Sequence, residues 1–267
     1  MIAVFGHAVT RRRLSFLMWS IGMVLMVGLL AVAFPAFNDN SELDSTIAKL
    51  PPSVLRLLGL APGAAFTSPA GYLESNLFAN VLPVMLLVFA VGFAAWTIAG
   101  DEAAGTLELL LANPVSRWKV GIGRFAAVTV TLAGLSGVCA ATLAALAVPA
   151  GLDDGLPIGH MMAATTSAGA MAFVFAAIAF AVGAGTGSRP AALAVASAIA
   201  VAGFVIEGLA EQVEPLRQVR RFSPWHWMFH ADPIHHGLTL GSWLPAVATA
   251  VVLAAAGTIA FVRRDLR

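Results

Sequence analysis

Six stretches of about twenty or more apolar residues follow one another along the chain, each long enough to cross a bilayer's hydrocarbon core as an α-helix. They run from Leu14 to Ala36, Leu77 to Ala99, Val120 to Pro149, His160 to Thr186, Pro190 to Leu209 and Trp243 to Val262. The segments between them leave no room for a soluble domain, so residues 1–267 read as a single transmembrane domain. With 59% hydrophobic and 11% charged residues, the chain cannot cover a surface facing water. Lipid offers backbone groups no hydrogen-bond partners, so the expected fold class is an all-α polytopic membrane protein.

Arg11, Arg12 and Arg13 precede the first stretch, as in a secretory signal. Its apolar run is longer than the roughly 7–15 residues of a signal core, so an uncleaved helix is expected. Cys139 is the chain's single cysteine and excludes an intrachain disulfide. Thirteen Arg against two Lys, with abundant Ala, point to a high-GC genome of bacterial type. Basic residues in short loops stay on the cytoplasmic side. With the N-terminus inside, ten of the fifteen basic residues fall on inner segments, and ten of the fourteen acidic ones on outer segments. Both termini are therefore expected in the cytoplasm of a multi-pass cell-membrane protein.

Two outer connections are long. Within 37–76, Ser53 is placed to cap a short amphipathic helix with Val54, Leu57 and Leu58 on one face, suited to the outer interface. Residues 210–242 mix charge, proline and aromatics, which predicts re-entrant or surface-lying short helices.

The chain carries no engine of its own. A phosphate-binding loop needs G-x-x-x-x-G-K-[ST], and neither lysine follows a glycine: Lys49 follows Ala48 and Lys119 follows Trp118. The middles of the six stretches lack ionisable groups, with Glu207 near an outer end and Arg124 near the inner headgroups, which disfavours ion coupling. Gly134-Leu135-Ser136-Gly137 matches the string of intramembrane serine proteases, but the best candidate base, His160, starts the fourth stretch at its outer end. Gly183, Gly185 and Gly187 suit close helix approach and a tight turn, since no strand precedes them. His226 and His230, at i and i+4, are candidate metal ligands. Trp225, Trp227 and Phe229 around them favour interfacial anchoring instead, so no metal or cofactor is expected in this chain.

One sizeable charged segment lies between two membrane stretches on the inner side, from Asp101 to Arg117. Asp101 and Glu102 are expected to open a short helix, where carboxylates favour the amide end. Leu107, Leu110 and Leu111 make one apolar face, Asn113 suits the C-terminal cap, and Pro114 stops the helix. Ser116 is placed to cap the third spanning helix, whose first turns carry Arg117, Lys119 and Arg124.

The string G-T-L-E-L-L-L-A-N-P-V-S-R, Gly105 to Arg117, resembles the signature that follows the second helix of type-2 ABC exporter permeases. S-P-x-x-W from Ser223, A-D-P-I-H-H-G from Ala231, F-V-R-R-D-L from Phe261 and P-A-G-Y-L from Pro69 are similar to the same group. The resemblance implies a six-helix half-transporter that pairs with a second permease chain, identical or related, and with two ABC ATP-binding subunits. It implies that ATP and magnesium are held on those subunits, that the chain is no enzyme by itself, and that nucleic acid is no partner. Met1 to Arg13 would form an amphipathic connecting helix, and residues 211–241 the outer re-entrant helices. A coupling helix over about 101–113 would dock on the ATPase. Glu102, Gly105, Thr106, Leu107, Glu108, Leu110, Leu111, Pro114, Ser116 and Arg117 are its candidate coupling residues. The implied activity is ATP-driven export of an amphipathic or hydrophobic drug, lipid or peptide. The alternatives are an ATPase-coupled sensor or resistance factor that moves no cargo, and an ion-coupled secondary transporter.

Overall fold

The computed structural model describes residues 6, 12–38, 45–47, 49–50, 65–111, 115–210 and 213–264, with the backbone alone for Glu108, Leu109, Leu111, Phe229 and Ser242. The described residues form an all-α bundle. Its six long apolar helices are α1 (Arg13–Ala33), α2 (Pro69–Ala103), α4 (Arg117–Ala147), α5 (Ile158–Thr186), α6 (Arg189–Leu209) and α10 (Leu240–Arg263). Between α2 and α4 lies the short α3 (Thr106–Leu111), and between α6 and α10 lie α7 (Glu214–Val219), α8 (Pro224–His230) and α9 (Pro233–His236). The expected helix near Ser53 and nearly all of the expected Met1–Arg13 helix fall outside the described residues.

Local chemistry sets the helix ends. Ser116 accepts a hydrogen bond from Lys119 N at 3.4 Å and caps α4, as its position predicts. Ser188 does the same for α6, accepting from Ala191 N at 3.3 Å, with Pro190 in the first turn. Gly187, at φ +70°, ends α5 in the left-handed conformation that glycine adopts without steric cost.

The second spanning helix starts earlier than its hydropathy predicts, at Pro69 rather than Leu77. Ser68 caps it, and the polar residues that obscured its first turns satisfy themselves against the helix backbone. Ser75 Oγ donates to Gly71 O at 2.7 Å and Asn76 Nδ2 to Tyr72 O at 3.0 Å. Tyr72 donates its phenol to Leu30 O at 2.9 Å and ties this early start to the far end of α1.

Helix association in lipid has little hydrophobic driving force and depends on close van der Waals packing. α5 is the hub, packed against α2, α4, α6 and α10. Its contact with α10 is close enough that a Cβ on Gly257 would lie 2.6 Å from Ala181 Cα. A Cβ on Gly183 would touch the methyls of both Ala99 and Ala192 at 3.5 Å, so that glycine admits α2 and α6 together. Rings of Phe125, Phe173 and Phe180 fill the gap between α4 and α5 at centroid separations of 5.3 and 5.1 Å. α1 and α6 are peripheral, burying Met23, Val27 and Ala31, and Ala192, Ala196, Ala200 and Gly203, respectively.

The bundle has two chemically different ends. One gathers Arg12, Asp101, Glu102, Arg117 and Arg264, and is called the basic end below. The other is covered by α7, α8 and α9. There Trp225 donates from Nε1 to Ala200 O at 3.0 Å and Trp227 to Arg221 O at 2.7 Å. The predicted short helices between the fifth and sixth spans are thus present, and the buried Trp225 indole N–H finds a backbone acceptor.

Candidate functional site

The charged segment begins where α2 changes its winding. A π turn over Trp96–Gly100 precedes Asp101, and the bare Cα of Gly100 leaves space for the Trp96 indole beside it. The Arg12 guanidinium lies 4.2 Å from the centroid of that indole, a cation–π contact joining the start of α1 to the end of α2.

Asp101 and Glu102 do not open the coupling helix, as their sequence position suggested. They lie in Asp101–Ala103, the last turn of α2. Gly105, at φ +66°, then stops α2, and α3 starts afresh at Thr106. Carboxylates at a helix C-terminus oppose the helix dipole, so their position requires compensating cations. Two arginines supply them.

Arg124 of α4 forms an ion pair with Asp101, and the two residues are each 1% exposed. The sequence places Arg124 near the inner headgroups; within the bundle it is buried, with Asp101 as its ion-pair partner. Thr106 Oγ1 lies 3.1 Å from Asp101 O and 3.2 Å from Asp101 Oδ1, and donates its proton to that pair of oxygens. The first residue of α3 is thereby fastened to the same carboxylate.

Arg264, just past the end of α10, pairs with Glu102. Its carbonyl accepts from Arg117 Nη1 at 2.6 Å, so the first turn of α4 grips the end of α10. The turn from α5 to α6 lies against this pair. A Cβ on Gly187 would lie 2.8 Å from Glu102 Oε1 and would also strike the Arg264 guanidinium. Four parts of the bundle therefore meet at the last turn of α2: α4, α10, the α5–α6 turn and α3.

The other candidate coupling residues divide clearly. Leu107 is 1% exposed and faces the core, so it anchors α3 to the bundle and presents nothing to a partner. Leu110 is half-buried against the same core. Of Glu108 and Leu111 only the backbone is described, and Pro114 lies outside the described residues. Ser116 is the α4 cap, and Arg117 holds Arg264.

Arg124 and Arg264 were missed as site residues by sequence reasoning. Arg124 carried a usable signal: it stands inside an apolar stretch, where an ionisable residue calls for a partner. Arg264 gave none, since its contact with Glu102 spans 162 positions.

The remaining sequence candidates stay apart from this cluster. Ser136 Oγ faces Gly169 across the α4–α5 contact and has no hydrogen-bond partner among the described residues. His160 instead lies with Nδ1 3.0 Å from Ile234 O, and it makes no hydrogen bond with that serine. His226 Nδ1 is 3.1 Å from Glu207 Oε1, and its ring stacks on His230 at 4.8 Å. Among the described residues, no group of three or more His, Cys, Asp or Glu is arranged to hold a metal ion.

A search of curated proteins finds no match. A family model described as ABC-2 family transporter protein matches residues 3–266, nearly the whole chain. With six membrane-crossing helices and a charged connection between the second and third of them, the chain belongs to the ABC-2 family of transporter membrane subunits.

Proposed function

We propose that this chain is the permease half of an ATP-driven exporter, working as a dimer with a second copy or a related permease. Two separate ABC ATP-binding subunits dock at the basic end and hold ATP and magnesium. That end faces the cytoplasm, a reading supported by the ten basic residues on the segments assigned to that side. α3 is the element the ATPase pushes.

The observation that carries this reading is the meeting of α4, α10 and the α5–α6 turn at Asp101 and Glu102, directly before α3. Gly105 interrupts the helix between them, so α3 is a separate short lever fastened at its first turn: to Asp101 through Thr106 and to the core through Leu107. Displacing α3 moves the charged last turn of α2, and the ion pairs hand that motion to α4 and α10. The cargo is amphipathic or hydrophobic: the one arginine buried inside an apolar helix is already neutralised by Asp101, and the helix faces are lined by Ala, Leu, Val and Phe.

The test is affinity purification of the full chain with its partner ATPase, followed by reconstitution in vesicles with a lipophilic fluorescent dye. ATP is expected to drive dye movement. Glu108→Lys is expected to insert normally and lose both dye movement and permease-dependent ATPase stimulation. Unchanged activity in that variant refutes the coupling role of α3. ATP turnover without dye movement points to an ATPase-coupled sensor instead.

A further inference from the structure

A groove of about 570 Å³ runs between α4, α5 and α10 on the outside of the bundle, starting beside the basic end. Its floor is Phe173 of α5, and its walls are Trp118, Ile122 and Val130 of α4 with Val251 and Ala255 of α10. The two polar residues in the lining turn inward. Thr129 donates to Phe125 O at 3.0 Å and Thr258 to Ala254 O at 2.8 Å, so the groove presents no free hydroxyl and suits a hydrocarbon. From Trp118 to Val130 the α4 wall rises about 18 Å at 1.5 Å per residue. That is roughly half of a hydrocarbon core about 30 Å thick, the depth of one leaflet.

The mouth at the basic end has a different chemistry. Lys119, which follows the groove residue Trp118 in the first turn of α4, is exposed and has no ion-pair partner among the described residues. Trp118 is 47% exposed at the same level, in the position where an indole N–H reaches the headgroup region while its ring covers hydrocarbon. An open apolar groove beside an exposed lysine has the amphipathic form of a phospholipid with negative headgroup. We propose that this groove is a binding site for one anionic phospholipid of the leaflet at the basic end, an acyl chain lying along Ile122 to Val130 and the phosphate meeting Lys119. The site is independent of the coupling reading above.

The test uses the purified full chain in nanodiscs doped with phosphatidylglycerol or phosphatidylcholine brominated on one acyl chain. The signal is quenching of Trp118, read as the difference between the native protein and Trp118→Phe. Brominated phosphatidylglycerol is expected to quench at about fivefold lower mole fraction than phosphatidylcholine, the factor one basic residue near an anionic leaflet supplies. Lys119→Gln is expected to abolish that preference. Ala255→Leu, at an exposed groove wall, is expected to reduce quenching by both lipids. Equal quenching by the two lipids, unaffected by Lys119→Gln, means ordinary surrounding lipid and overturns the proposal. Absence of quenching by either lipid means that another chain or a second copy covers the groove, and overturns it equally.

Discussion

Arg124→Met isolates the buried half of the charged cluster. Methionine keeps much of the side chain's apolar length, but Asp101, 1% exposed, is left facing an uncharged group. Removing one partner from a buried ion pair costs about 3–5 kcal/mol, because the remaining charge has lost its compensation. The Thr106 hydroxyl, 3.2 Å from Asp101 Oδ1, stays in place in both proteins, so its contribution cancels in the difference. The expected loss is therefore the full value for a broken buried pair, about 3–5 kcal/mol. Asp101→Leu exposes the converse problem, a buried guanidinium, and is expected to cost a similar amount. The double variant replaces the pair by apolar volume, a change that is neutral or stabilising by about 1–4 kcal/mol in comparable cases. The cycle should thus return a coupling of about 6 kcal/mol or more. Unfolding of the purified protein by SDS in mixed micelles, followed through tryptophan fluorescence, measures it. Two single variants whose losses simply add in the double would refute the reasoning, since a pair that does not compensate cannot be the reason Asp101 tolerates burial.

Two glycines give sharper steric predictions. Gly187→Ala places an L-residue at φ +70°, costing about 1–2 kcal/mol, and sets a Cβ 2.8 Å from Glu102 Oε1. The same SDS assay should show that loss, and a Glu102→Ala background, which removes the carboxylate the new Cβ meets, should reduce it. Gly257→Val drives a side chain against Ala181 Cα, a backbone atom 2.6 Å from the new Cβ, and overpacking of this kind costs about 1–3 kcal/mol. Gly137→Val, with nothing within 4 Å of its Cβ, is the control expected to leave stability unchanged.

The spanning helices were legible because apolar length in lipid is a one-body property, which each stretch declares without reference to the others. Ser116 and Gly187 were legible for the same reason, since a cap and a left-handed stop are written within a few residues. The early start of α2 was not, because Glu74, Ser75 and Asn76 lower its hydropathy while the bonds that accommodate Ser75 and Asn76 appear only once the helix is built. The break at Gly105 misled more deeply. Asp101 and Glu102 suit a helix start by composition, and only the arginines arriving from α4 and beyond α10 allow them at a helix end. Charge pairing between distant segments is a property of the packed bundle, and no local pattern announces it.

The family resemblance makes Glu102 a candidate coupling residue, and the structure engages it with Arg264. A charge exchange, Glu102→Arg with Arg264→Glu, separates these roles. Both side chains are 17% exposed, so the pair lies between the ~0–1 kcal/mol of exposed ion pairs and the ~3–5 kcal/mol loss on breaking buried ones. Each single reversal sets like charges together and is expected to cost about 2 kcal/mol or more. The exchange restores the attraction. It also moves a cation to the C-terminal end of α2 and an anion to that of α10, so the two helix-dipole effects oppose each other and leave little net change. Stability of the exchanged protein should therefore return to within about 0.5 kcal/mol of the native value. If Glu102 works only by tying α2 to α10, permease-dependent ATPase stimulation returns with stability. Recovery of stability without stimulation would show that a partner reads the sign of residue 102 directly, and the ion pair would then be its resting state rather than its function.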